Sequence, residues 1–193
     1  MCSLAEKEFN RLRQEIQDDN VKIIVYRNKY AFVGSPGSSA YTYTTEEIPS
    51  IALLKNKLIS YRKVITVLLH EYAHVLDGRS NGESKRWKEA DFDLDLGTVE
   101  TIKNYSKKIK YYILKNEYIA ESMVKKLLKK FKVQVEYSDK ELQVELCRTL
   151  MVYKYFLING KMPSGRVIDI WDASLINKPF EITEKYLKDF SKV

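Results

Sequence analysis

The sequence predicts an α+β protein that is mainly helical, with a short N-terminal β-sheet followed by longer helices. Three observations predict this class. Short strand-like runs bounded by turn residues are confined to the segment before Lys55. Longer runs with helical periodicity follow them. One of these runs, from Tyr61 to Leu76, is too apolar to form a solvent-facing helix.

One helix and a small sheet are predicted for the N-terminal part of the chain. The segment Ser3–Glu6 is a capping box, Ser-Leu-Ala-Glu, which opens a helix. The apolar positions of this helix are Ala5, Phe9, Leu12 and Ile16. Strands are predicted over Val21–Tyr26, Tyr30–Val33, Ala40–Thr44 and Ser50–Leu54, with a Gly- and Ser-rich loop over 34–39.

Helices are predicted for most of the remaining chain. The most apolar of them covers Tyr61–Leu76 and ends at Asp77-Gly78, a pair typical of a helix C-terminus. The others are predicted over Val99–Phe131 with an interruption, over 138–159 behind a second capping box at Ser138–Glu141, and over 183–190.

Length and composition predict a single domain over 1–193. The chain is 45% apolar, has only four prolines and seven glycines, and contains no internal repeat. Its two cysteines imply no disulfide framework and suit a reducing compartment. The segment from Met1 to Arg13 has no apolar signal-peptide region, and no stretch approaches the length of a transmembrane helix. We therefore expect a cytoplasmic protein with no membrane partner.

Both histidines of the chain lie in one five-residue motif of the form H-E-x-x-H. His70 and His74 are four residues apart, so on a helix their imidazoles lie on one face and can bind one metal ion. Glu71 is close enough to reach a water at that metal. Chance produces this pattern in on the order of one chain in a thousand. The motif predicts a zinc hydrolase. The alternative is a buried helix that happens to carry two histidines.

The third metal ligand is expected to be a carboxylate, because no third histidine exists and the cysteines lack ligand spacing. Glu117 lies on the apolar stripe of the predicted helix 99–131, and Glu121 follows one turn later. Glu117 on zinc and Glu121 beside a ligand histidine would explain two like charges on one apolar face. Alternatively, Glu121 pairs with Lys125, and Glu117 is only part of the amphipathic pattern of this helix. Asp77 could orient a histidine or cap the following turn.

The two segments together resemble those of the gluzincin metallopeptidases. HEYAH from His70 and NEYIAES from Asn116 match H-E-x-x-H followed on a second helix by N-E-x-x-x-D or E-x-x-A-[DNE]. Among small gluzincins the chain looks most like the ImmA/IrrE-type peptidases and the peptidase domain of ArdC-type antirestriction proteins. The resemblance covers roughly 21–131 and leaves 138–193 as a C-terminal helical extension.

This resemblance implies a short sheet packed on the H-E-x-x-H zinc helix and a second helix that supplies a glutamate ligand. It implies that His70, His74 and Glu117 hold zinc, that Glu71 is the catalytic base, and that Glu121 is the acidic residue behind the ligands. It also implies an edge strand beside the zinc helix that binds extended substrate by main-chain pairing. By the same resemblance that edge is Ser50–Lys55, and its predicted substrate-binding residues are Ser50, Ile51, Ala52 and Leu53.

Other metal sites fit the sequence less well. An SprT-like protein would have a third histidine within 81–87, and a metzincin would have one where Ser80 stands. The acidic segment from Asp91 to Asp95 begins like a calcium loop, but the glycine and the distal glutamate of such a loop are misplaced. We interpret it as a solvated acidic loop.

Positive charge is concentrated in one segment. Ten lysines and two glutamates give residues 101–132 a net charge of +8, against +7 for the whole chain. Such a segment could bind nucleic acid or an acidic protein. However, Lys125, Lys126, Lys129 and Lys130 also occupy the positions where an amphipathic helix faces water. No aromatic-basic motif accompanies them, which favours a solvated face over nucleic-acid binding.

The sequence therefore predicts a zinc-dependent metallopeptidase, an endopeptidase, acting on a protein or peptide substrate. Zn²⁺ is the expected cofactor and Glu71 the general base. The alternative is a non-catalytic protein on a zincin scaffold that regulates a protein partner or nucleic acid through its basic helical face. The retained Glu71 disfavours this alternative, because zinc binding alone does not require that residue.

Overall fold

The computed structural model describes residues 3–27, 40–43, 47–55, 59–81, 104–161 and 163–165. These ranges contain four helices and three strands, so the coarse prediction of a mainly helical α+β protein is confirmed. The elements are α1 (Leu4–Asp18), β1 (Lys22–Tyr26), β2 (Ala40–Tyr43), β3 (Ser50–Leu54), α2 (Tyr61–Asn81), α3 (Lys107–Lys130) and α4 (Asp139–Asn159). The predicted strand 30–33, loop 34–39, acidic loop 91–95 and closing helix 183–190 lie outside the described residues.

The sheet has the strand order β1-β3-β2, which overturns one prediction. β3 runs parallel to β1 and antiparallel to β2. It is therefore the middle strand, and its main chain forms hydrogen bonds on both sides. All five of its residues are buried, as expected for an apolar run in a central strand. The prediction that Ser50, Ile51, Ala52 and Leu53 form a substrate-binding edge is therefore wrong. The edges of the described sheet are β1 and β2.

Helix α2 is longer than predicted and runs through Asp77 and Gly78 to Asn81. A glycine inside a helix costs roughly 1 kcal/mol relative to alanine. Contacts with the end of α1 offset this cost. Arg79 donates to the Asp19 main-chain oxygen at 2.8 Å and to its carboxylate at 2.5 Å, and the Tyr72 hydroxyl donates to the same carboxylate at 2.6 Å. These contacts hold the last turn in place, so the Asp77-Gly78 signal does not end the helix.

The described chain forms two compact units, one from 1–85 with 120–136 and the other from 86–119 with 137–193. In the first unit, α1 and the sheet pack against α2, and β1 also contacts α1. The predicted burial of α2 is confirmed for most of its apolar residues. The buried apolar residues of α2 are Val64, Ile65, Leu68, Leu69, Tyr72, Ala73 and Val75.

The second unit contains α4 and the first half of α3. Its core is a cluster of three leucines, Leu114, Leu150 and Leu157, surrounded by partly buried aromatic and aliphatic side chains. The predicted capping box at Ser138 is confirmed, with both reciprocal hydrogen bonds to Glu141 present. Gly160 ends the helix in the left-handed region at φ 65°, as the Asn-Gly pair predicts. The prediction of one domain over 1–193 stays a prediction.

The C-terminal end of α3 is held by α1 within the first unit. Lys132, at φ 49°, stops the helix, and the Val133 N–H bonds back to the Leu128 carbonyl at 3.0 Å. Arg11 donates to the Phe131 carbonyl at 2.9 Å. No helix in the described part of the chain has both the length and the apolarity that a membrane crossing needs.

Candidate metal centre

Helix α2 presents the two histidines on one face, as the four-residue spacing requires. The Nε2 atoms of His70 and His74 are 3.1 Å apart. The two rings meet edge to face, with centroids 4.8 Å apart and planes at 86°. His70 is only 9% exposed, so its polar atoms are largely removed from water. Two imidazole nitrogens therefore converge on one point beside a buried helix.

Glu117 on α3 joins the two histidines. The ligand atoms of His70, His74 and Glu117 all lie within 4.8 Å of one another, and Glu117 is 9% exposed. A buried carboxylate is costly in an apolar setting unless a cation or hydrogen-bond donors stabilise it. The structure thus brings together the three side chains that the sequence predicts as metal ligands.

Glu121 lies one helical turn after Glu117 on the same unbroken helix and reaches the other side of His70. The distance from its Oε1 to His70 Nδ1 is 3.3 Å, and both side chains are largely buried. A carboxylate beside Nδ1 favours the tautomer with hydrogen on Nδ1, which leaves the Nε2 lone pair available to a metal. Glu121 thus lies beside His70 at its predicted position, and its role in orienting the ligand stays a prediction.

The residues at this centre fit zinc. Two imidazoles and one carboxylate are a donor set that catalytic zinc commonly takes. Two nitrogens bound tetrahedrally at about 2.0–2.1 Å from one ion would be about 3.3 Å apart, close to the observed separation of the two Nε2 atoms. Two lone pairs facing each other at such a distance repel unless a proton or a cation lies between them. Among the described residues this is the group of three that could hold a metal ion.

Glu71 is the next residue on α2 and is only 8% exposed. The Thr42 hydroxyl on β2 lies 2.5 Å from Glu71 Oε2 and 3.3 Å from the Glu71 main-chain oxygen. Sequence reasoning missed Thr42. The only signal was its position in a predicted strand, and a strand pattern does not reveal which helix its side chains contact. Glu71 is thus a buried carboxylate that accepts a hydrogen bond from the Thr42 hydroxyl.

The remaining predicted site residues are Asp77 and residues 50–53. Asp77 lies on α2 three residues after His74 and is partly buried, but the helix continues through it. It therefore does not cap a turn, and its role behind the ligands stays a prediction. Residues 50–53 are buried in the middle of the sheet.

Comparisons of the chain with known protein families, with curated proteins and with solved structures find no match.

Proposed function

We propose that this protein is a zinc-dependent metallopeptidase of the gluzincin type, an endopeptidase that hydrolyses peptide bonds in a protein or peptide substrate. The observation that carries the proposal is the convergence of His70, His74 and Glu117, whose ligand atoms lie within 4.8 Å of one another. The buried carboxylate of Glu71 on the same helix supports it further, because metal binding alone does not need that residue.

Zinc held by these three side chains would lower the pKa of a water toward about 7 and polarise the scissile carbonyl. Glu71 accepts a proton from the attacking water and passes it to the leaving amine. Its burial keeps competing water away from the carboxylate, and Thr42 holds one of its two oxygens. Glu121, whose Oε1 lies 3.3 Å from His70 Nδ1, would favour the tautomer of His70 that presents Nε2.

A Glu71→Gln variant tests this proposal. The amide has nearly the same shape, and its oxygen can still accept the Thr42 hydroxyl, so fold and zinc content should be kept. It cannot act as a base, and hydrolysis should fall by about 10²-fold or more. Zinc is measured by elemental analysis of purified protein, and hydrolysis by mass spectrometry on a peptide library derived from a proteome.

The matched control is Glu136→Gln, the same chemical change at an exposed position of the first unit. It should leave both zinc content and hydrolysis unchanged. Wild-type activity in Glu71→Gln would contradict the mechanism. A wild-type protein that neither contains zinc nor takes it up would contradict the metal centre.

A second candidate is a non-catalytic protein on the same scaffold that binds a partner or nucleic acid through the basic face of α3. The observation that favours it is the exposure of Lys125, Lys126, Lys129 and Lys130. Under this alternative the peptide library stays intact with the zinc-loaded wild-type protein. The two candidates are therefore separated by the same assay.

A further inference from the structure

The side chains of Thr42 and Glu71 contact each other. This contact links β2 to α2, the helix that carries the H-E-x-x-H motif. The Thr42 hydroxyl has two acceptors within reach, Glu71 Oε2 at 2.5 Å and the Glu71 main-chain oxygen at 3.3 Å. A hydroxyl carries one hydrogen and donates it to the nearer and charged acceptor. The carboxylate therefore receives a charge-assisted hydrogen bond on Oε2.

This bond leaves the two carboxylate oxygens of Glu71 in different situations. Oε2 accepts from Thr42, whereas Oε1 remains able to accept a proton. Glu71 is 8% exposed, and a buried carboxylate without a donor is strongly disfavoured. The donor on Thr42 therefore both stabilises the charge and restricts rotation of the carboxylate about its last bond.

We propose that Thr42 is the positioning residue of the general base: its hydroxyl fixes Glu71 Oε2, so that Oε1 takes the proton from the attacking water. This inference rests on the proposed function. The residue that orients the base, Thr42, lies on β2, whereas Glu71 and the two histidines lie on α2.

A purely structural bridge between β2 and α2 is the competing interpretation. The main chain of β2 is already fixed, because Ala40–Tyr43 pairs with Leu53–Ser50 of the central strand. Thr42 lies opposite Ile51, which is fully buried. Register and packing thus place the strand without the hydroxyl, and an isosteric apolar residue at Thr42 should keep the fold.

The experiment compares Thr42→Val with Thr42→Ser in the zinc-loaded protein. Thr42→Val should lower kcat by about 10–100-fold with KM nearly unchanged, because a misoriented base affects the chemical step. Thr42→Ser keeps the hydroxyl and should restore most of the activity. Combined with Glu71→Gln, Thr42→Val should cause no further loss. The control is Thr66→Val on α2, whose hydroxyl donates to the Lys63 carbonyl at 2.9 Å and should not affect kcat.

A second readout uses the zinc-free protein and needs no activity. Urea unfolding of wild type, Thr42→Val, Glu71→Ala and the double variant forms a double-mutant cycle. A hydrogen bond to a charged group predicts a coupling of about tenfold or more in the unfolding equilibrium constant. The corresponding cycle with Thr66→Val should be additive.

The outcomes separate the inference from the function on which it rests. Coupling together with the kcat loss and the serine rescue supports the positioning role. Coupling with unchanged kcat makes Thr42 a structural bridge and overturns the inference, while the peptidase function stands. Absence of coupling overturns it as well. A zinc-loaded wild type that hydrolyses no peptide contradicts the function and the role of Thr42 together. Thr42→Ala, which also removes the hydroxyl, replaces valine in these comparisons if Thr42→Val does not fold.

Discussion

Glu117 and Asp77 are two carboxylates that could complete a metal site with His70 and His74. The geometry favours Glu117 as the third ligand. Asp77 is three residues beyond His74 on the same helix, so its short side chain lies a turn away, roughly along the helix axis. A ligand that closes a tetrahedral site must approach from the side. Glu117 comes from a separate helix, and its carboxylate lies within 4.8 Å of the histidine ligand atoms.

Substitution of these two residues should affect zinc binding differently. Glu117→Ala removes a proposed ligand and should strongly lower zinc occupancy. Asp77→Ala should weaken affinity by at most about 10–100-fold, the effect expected of a residue behind the ligands. Both are measured by titration against a chelator of known affinity. An empty site in Asp77→Ala together with a filled one in Glu117→Ala would make the gluzincin assignment wrong.

The predictability of this centre differs from residue to residue. His70, Glu71 and His74 follow from local spacing, because a helix alone brings positions four apart together. Glu117 follows less directly, from a charge on an apolar stripe that requires an explanation. Thr42 could not be predicted, because its contact depends on how a strand and a helix distant in sequence pack together.

At the scale of elements, Glu8 and Arg11 show how α1 supports the helix that carries Glu117 and Glu121. Glu8 is buried and accepts from the Gln134 N–H at 2.9 Å and from Arg11 at 2.8 Å. Arg11 also donates to the Phe131 carbonyl. Two polar groups just beyond the end of α3 are thus bound to one side of α1, which fixes where that helix ends.

A Glu8→Gln variant should destabilise the protein by about 1.5–3 kcal/mol near neutral pH, since it removes hydrogen bonds to a charged group. The hydrogen bond from Arg11, together with the Gln134 N–H, holds the pKa of the Glu8 carboxyl below its usual value. The stabilisation is therefore complete above the unfolded pKa of about 4.3 and is lost as pH falls through the folded pKa. Urea unfolding of both proteins at neutral and acid pH measures this difference.

Glu15→Gln is the matched control on the same helix. Glu15 also pairs with Arg11, but its side chain is 41% exposed, against 8% for Glu8. An exposed ion pair contributes at most about 1 kcal/mol, so this variant should lose little stability. Equal losses in the two variants, or a Glu8→Gln effect that persists in acid, would show that the buried carboxylate does not anchor α3.

Element boundaries were predictable where local chemistry sets them. Both ends of α4 follow from Ser138, Glu141 and Gly160, whose side chains or backbone freedom act on their own helix. The end of α2 was not predictable, because Arg79 is held by a residue at the end of α1. The central position of β3 in the sheet could not be predicted from the sequence either, because the order of strands along the chain does not set their order in the sheet.

At the scale of the whole molecule, the concentration of charge admits two interpretations. Residues 101–132 carry a net charge of +8, so the rest of the chain is nearly neutral. Lys125, Lys126, Lys129 and Lys130 are exposed, whereas Ala120, Val124 and Leu128 on the same helix are buried. This distribution is the one that an amphipathic helix adopts for solvation alone, and it favours a solvated face.

Replacing these four lysines by glutamine should therefore leave hydrolysis of a short neutral peptide unchanged. No steep salt dependence of nucleic-acid binding should appear in the wild type, whereas contacts with four phosphates would give a slope of roughly 3–4 in a double-logarithmic plot. The matched control replaces four exposed lysines from dispersed elements, Lys7, Lys22, Lys140 and Lys161, and so lowers the net charge equally. Tight, salt-sensitive binding that disappears only with the α3 changes would identify this face as a nucleic-acid interface, because equal net charge would exclude a general electrostatic effect.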